Sequence, residues 1–122
     1  MAISHLFVYG TLRPGGTRWG VLRPFVMGDG VADQAAGDLY DTGLAYPAAV
    51  FGGAGRIVGA TFELIGDSLD EALAVLDAIE GTVGGLYRRV AIRTCSGQSA
   101  WAYEYGSGLK LSPITSGDWF VR

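Results

Sequence analysis

Apolar residues in this chain fall in short runs cut by glycine, apart from one longer stretch at helical spacing. Leu6-Phe7-Val8-Tyr9 is a continuous apolar run that stops at Gly10, which predicts a short strand. Thr11 to Gly20 carries Pro14, Gly15, Gly16 and Gly20 and reads as a loop. Gln34 to Tyr40 is a second strand and Gly43 to Pro47 a turn. Ala48 to Phe51 is a further strand ending at Gly52-Gly53, and Ile57 to Leu64 another, with Thr61 and Glu63 on one face. Tyr87 to Thr94 and Ser99 to Tyr105 form a hairpin about Ser96-Gly97. The tail from Ser112 to Arg122 is irregular, with Trp119-Phe120-Val121 expected to pack back onto the body.

One helix stands out, from Ser68 to about Glu80. Ser68-Leu69-Asp70-Glu71 fits a capping box, in which serine and glutamate each satisfy a free backbone N–H. Acidic residues sit in the first turn, where the helix dipole favours them, and Gly81 follows as a C-terminal cap. Many short strands around one helix, with no repeat or linker, predict an α+β chain. Its architecture is a small mixed-sheet β-barrel forming a single domain over residues 1–122.

Composition narrows the function. The chain has 122 residues, 49% of them apolar, enough for one core without metal or disulfide help. Its net charge is −3 and its nine basic residues include a single lysine, Lys110, so no basic stripe exists to follow a phosphate backbone. One cysteine, Cys95, and one histidine, His5, leave no ligand set for structural zinc. His5 and Cys95 lack partners in sequence and read as structural or surface groups. No leader precedes the first strand and no apolar run is long enough to cross a bilayer, so a cytoplasmic protein is expected. Oligomeric state has no signature here.

Two features carry candidate chemistry. On the helical wheel Leu69, Ala72, Leu73, Leu76 and Ile79 form one apolar stripe, and Glu80 projects from its middle. A buried carboxylate beside the negative end of a helix has its pKa raised, which suits it to taking and returning a proton. The alternatives are that the helix ends early and Glu80 turns to solvent, or that Glu80 pairs with Arg88 or Arg89. Those two arginines point to opposite faces of their strand, so at most one reaches it. The second feature is Tyr9-Gly10-Thr11-Leu12. A strand that stops at glycine before a small residue can aim several N–H groups one way, a concavity that binds carboxylates. The alternative is an ordinary glycine turn. Gly15-Gly16 is no phosphate loop, lacking Gly-Lys-Ser/Thr and a helix start behind it. Glu63 and Glu104 read as facing solvent or a pocket rim, and Trp101, Trp119 and Phe120 as packing groups.

Taken in series, Phe7-Val8-Tyr9-Gly10-Thr11-Leu12-Arg13-Pro14-Gly15 and Gly37-Asp38-Leu39-Tyr40 with Gly43 and Tyr46-Pro47 form one pattern. It continues through Leu76-Asp77-Ala78-Ile79-Glu80-Gly81 before Tyr87-Arg88-Arg89, then Trp101-Ala102-Tyr103 and Ser116-Gly117-Asp118-Trp119. This pattern resembles the γ-glutamyl cyclotransferase-like family over nearly the whole chain. The resemblance implies a small mixed-sheet barrel in which Tyr9, Gly10, Thr11 and Leu12 hold the substrate. It implies Glu80 as the catalytic acid/base and Tyr87 lining the same pocket, without metal or cofactor. The partner is then a small γ-glutamyl compound, neither nucleic acid nor membrane. Thr11 followed directly by Leu12, rather than Tyr-Gly-Ser-Asn-Leu, looks like the γ-glutamylamine branch and its bacterial relatives. Two other functions remain open at this stage: a barrel that binds a small carboxylate without turnover, and an amide hydrolase using water.

Overall fold

The computed structural model describes residues 3–44, 46–66, 69–80, 87–106 and 109–122, and excludes the side chains of Ile79 and Glu80. The elements in chain order are β1 (His5–Val8), a one-turn helix α1 (Trp19–Leu22) running into a 3₁₀ turn (Arg23–Phe25), β2 (Val26–Asp41), and β3 (Pro47–Leu64). After these come α2 (Leu69–Glu80), β4 (Tyr87–Arg93), β5 (Ser99–Tyr105) and β6 (Ser112–Pro113). The six strands form one sheet in the order β4-β5-β1-β3-β2-β6, with β1 and β5 parallel and the other pairs antiparallel. The sheet is mixed and curls into a half-barrel, so the fold is α+β as the apolar pattern predicts.

β1 is continuously apolar because both of its faces are covered. Leu6 and Val8 join a core with Leu22, Phe62, Leu64 and, from α2, Leu73 and Leu76. Phe7, with Tyr9 just beyond the strand, joins a second core with Leu39, Ile57, Ile114 and Trp119. A four-residue strand buried on both faces suits the middle of a sheet, and β1 lies between β5 and β3.

The sequence reading differs from the structure in five places. The strands predicted at Ala48–Phe51 and Ile57–Leu64 are one strand, β3, whose ladder steps from Gly37↔Phe51 to Ala36↔Arg56. Residues 52–55 loop out of register there, and Gly52 and Gly53 take φ of 100° and 83°, a conformation side-chain-bearing residues avoid. Glycines thus interrupt the pairing without ending the strand. The strand predicted at Gln34–Tyr40 begins already at Val26. The loop predicted to Gly20 closes with α1. In the tail Trp119 is buried, whereas Phe120 and Val121 are exposed. Finally, Glu104 does not face solvent. One of its oxygens takes Arg88 and the other accepts the Phe51 N–H. The helix matches its predicted span, while its proposed caps, Ser68 and Gly81, lie outside the described residues.

Asp33 closes the curl. It is 8% exposed, and its carboxylate accepts the Gln34 N–H (2.8 Å), the Thr61 hydroxyl (2.9 Å), and both the hydroxyl (2.8 Å) and N–H (3.2 Å) of Ser96. The Cys95 N–H donates to the Gln34 carbonyl at 2.7 Å. These bonds fasten β2 to the β4–β5 turn, elements not adjacent in the strand order. Burial pushes the Asp33 carboxyl upward, but hydrogen bonds from Thr94, Ser96, Gln34 and Thr61 outweigh it and hold the group below the usual aspartate value.

Asp33→Asn keeps the shape but turns an amide NH₂ toward donors, so it should destabilise the protein by about 1–3 kcal/mol in urea unfolding at pH 7. The native carboxyl is depressed, so its contribution is complete above the unfolded value of about 3.9 and fades as pH falls through the native one. The stability gap between wild type and variant should therefore close below pH ~4.

Candidate active site

The chain leaves β1 at Val8 and turns at once. Gly10 makes this turn possible. A Cβ built on it would stand 2.6 Å from Pro47 Cγ and 2.8 Å from Pro47 Cδ, too close for any side chain. The turn is stitched by Arg13 N–H to Gly10 O (3.0 Å), Gly16 N–H to Arg13 O (2.7 Å) and Arg18 N–H to Thr11 O (2.8 Å). Among the described residues, none accepts a hydrogen bond from the amides of Gly10, Thr11 or Leu12. All three residues are buried. Backbone amides of buried residues are paired in the great majority of cases, so three successive ones without an acceptor among the described residues stand out.

This turn borders a narrow cleft. Tyr9, Gly10, Thr11 and Leu12 form one side, Tyr46 and Pro47 another, and Phe7, Val8 and Tyr103 complete the lining. None of these side chains carries a charge.

The aromatic groups hold the cleft in shape. The Tyr9 hydroxyl donates to the Tyr103 carbonyl at 2.5 Å, and its ring meets Phe51 edge-on with centroids 6.0 Å apart. The Tyr103 hydroxyl donates to Asp77 Oδ1 at 2.7 Å, and Arg89 Nε lies 3.0 Å from the same oxygen. The Arg89 guanidinium also sits over the Trp101 ring, 4.5 Å from its centroid. A chain of contacts therefore runs from the turn through Tyr103 to Asp77, one helical turn before Glu80.

Of the residues singled out by sequence, Tyr9, Gly10, Thr11 and Leu12 come together at the cleft. Tyr87 is 3% exposed and stands behind the lining, its hydroxyl donating to the Pro47 carbonyl at 2.6 Å. It braces the wall that faces Gly10. The side chain of Glu80 lies outside the described residues. Both arginines named as its possible partners are engaged by other carboxylates, Arg88 by Glu104 and Arg89 by Asp77. Sequence reasoning gave no site role to Tyr46, Pro47 or Tyr103. An aromatic-proline pair ahead of a strand was the available sign for the first two. Tyr103, in mid-strand, offered none.

A protein-family model described as "Gamma-glutamyl cyclotransferase, AIG2-like" matches residues 6–121. The chain belongs to this family. Solved structures agree. An uncharacterised protein from Pyrococcus horikoshii, PH0828, is 28% identical with a TM-score of 0.72, over 97% of this chain and 90% of that one. The ytfP protein of Escherichia coli is 36% identical with a TM-score of 0.55, over 94% of this chain and 95% of that one. An AIG2-like protein of Mus musculus shares the fold at 20% identity and a TM-score of 0.55, over 88% of this chain and 79% of that one. No curated protein matches at the sequence level. No described helix is long and apolar enough to cross a membrane.

Gly10→Ala forces its Cβ into the Pro47 ring and should cost about 1–3 kcal/mol as overpacking. Gly20→Ala, in α1 with nothing within 4 Å of the new Cβ, should instead stabilise by up to about 1 kcal/mol, because alanine is the better helix former. Thermal melts of both variants check the contrast.

Proposed function

We propose that this family member converts a γ-glutamyl amine or amide into 5-oxoproline and a free amine. The reading rests above all on the amides of the buried residues Gly10, Thr11 and Leu12, which find no acceptor among the described residues, in a cleft whose described lining carries no charge. The substrate's α-carboxylate lies on these amides. Its own α-amine is thereby brought to the γ-carbonyl, and the attack becomes intramolecular. Well-oriented attacks of this kind reach effective molarities on the order of 10⁵ M or more. The reaction then needs no nucleophilic side chain.

Glu80 is the proton carrier in this mechanism. With the α-amine in its free form, its nitrogen bonds to the γ-carbon while the Glu80 carboxylate takes one of its two protons. The carboxylic acid then returns that proton to the departing nitrogen as the old C–N bond breaks, leaving the lactam N–H and a neutral amine. Three observations favour this role: the place of Glu80 three residues after Asp77 on α2, the tie from Asp77 to the cleft residue Tyr103, and the engagement of Arg88 and Arg89 elsewhere. An arginine beside Glu80 would hold the carboxylate ionised and oppose its return of the proton. The direct step from Thr11 to Leu12 favours γ-glutamylamines over glutathione-type peptides.

The test is incubation with a panel of γ-glutamylamines and γ-glutamyl dipeptides, followed by chromatography of the acid product. Release of 5-oxoproline is expected, with the amines turned over best; release of free glutamate, or recovery of every compound intact, refutes the reaction. Glu80→Gln should lower turnover by at least about a hundredfold while melting temperature and substrate binding persist. Normal turnover in that variant removes Glu80 from the mechanism.

A further inference from the structure

The turn that receives the carboxylate has a second anchor besides Pro47. Arg13, next after Leu12, extends its guanidinium to the C-terminal tail, where Nη1 lies 2.7 Å from Asp118 Oδ1. The two side chains are 14% and 19% exposed. The same guanidinium lies over Phe120, 4.2 Å from the ring centroid. The Asp118 oxygen that takes Arg13 also accepts the Phe120 N–H at 2.9 Å. Ser116 Oγ accepts the Asp118 N–H at 3.2 Å and donates to the Asp118 and Val121 carbonyls. Between Asp118 and Phe120 stands Trp119, buried in the same core as Tyr9. The tail is thus fixed at Trp119, and through Asp118 it grips the residue that closes the turn.

We infer that Arg13 and Asp118 are positioning residues for the proposed reaction, a clamp through which the C-terminal tail sets the orientation of the Gly10–Leu12 amides. The inference rests on the carboxylate-binding role of those amides. Arg13 does not line the cleft and takes no part in bond making. Its contribution is to fix the turn before substrate arrives, so that binding spends no free energy on ordering it. A clamp of this sort acts on substrate capture more than on the chemical step, and its two members act only through each other.

Three variants test it: Asp118→Asn, Arg13→Gln and the double variant. Each single change should raise KM for the γ-glutamylamine substrate about five- to tenfold with kcat within about twofold, and the double variant should be no worse than either single one. Amide order parameters from ¹⁵N relaxation should fall at Thr11 and Leu12 from about 0.85 toward 0.6 in each variant, with those of β5 unchanged. Unchanged order parameters at the turn overturn the inference. So do effects that simply add in the double variant, or a loss confined to kcat. If the wild type makes no 5-oxoproline, the proposed reaction falls, whereas the relaxation measurement still decides the clamp.

Discussion

Pro47 lies so close to the Cα of Gly10 that no side chain fits between them, and the geometry of the cleft follows from that contact. It brings the start of β3 against the end of β1, with only main chain on the β1 side. The backbone then folds back through Thr11 and Leu12, and three amides lose the partners a continuing strand would give them. The turn survives because its surroundings leave it little choice: the ring of Tyr9 is pinned to the Tyr103 carbonyl, Tyr87 braces Pro47 from behind, and Arg13 is held by the tail.

A different carboxylate maintains the curvature that brings these parts together. The half-barrel has β4 and β6 at its edges, and nothing in the ladder itself joins β2 to the β4–β5 turn. Asp33 does so with neutral donors only, as its depressed pKa reflects. With that link the sheet stays curled, and β5, which supplies Tyr103, stays beside β1. The site and the curl therefore depend on separate polar contacts on separate parts of the barrel.

Much of this was legible in sequence, and the failures have physical causes. The central strand, the main helix and the β4–β5 hairpin announce themselves through apolar period and turn residues, which are local properties. The continuity of β3 is invisible locally, because Gly52-Gly53 serves a bulge as well as it serves a turn; only pairing with β2 decides. The turn at Tyr9 to Leu12 was identifiable from strand, glycine and small residue in order. Its wall was not, since the Tyr46-Pro47 pair and Tyr103 come from two segments joined only by the tertiary fold. Glu104 misled for the same reason: strand alternation places it on a face, but not beside the Phe51 amide and Arg88.

The pairing of the arginines bears on how an acid can work on α2. Arg88 and Arg89 follow the helix closely in sequence and reach opposite faces of β4. Either one, placed against Glu80, would hold its carboxylate ionised and remove it as a proton donor to the leaving nitrogen. Glu104 retains the first. Asp77 retains the second, which is also stacked on Trp101 and so has lost much of its reach. Asp77 therefore does two things at once: it receives the Tyr103 hydroxyl, which keeps α2 beside the cleft, and it neutralises the cation nearest the end of that helix. In the proposed reaction these two features are complementary: a cleft whose described lining carries no charge leaves the substrate's carboxylate without a competitor, and arginines held by other carboxylates leave Glu80 to pass a proton.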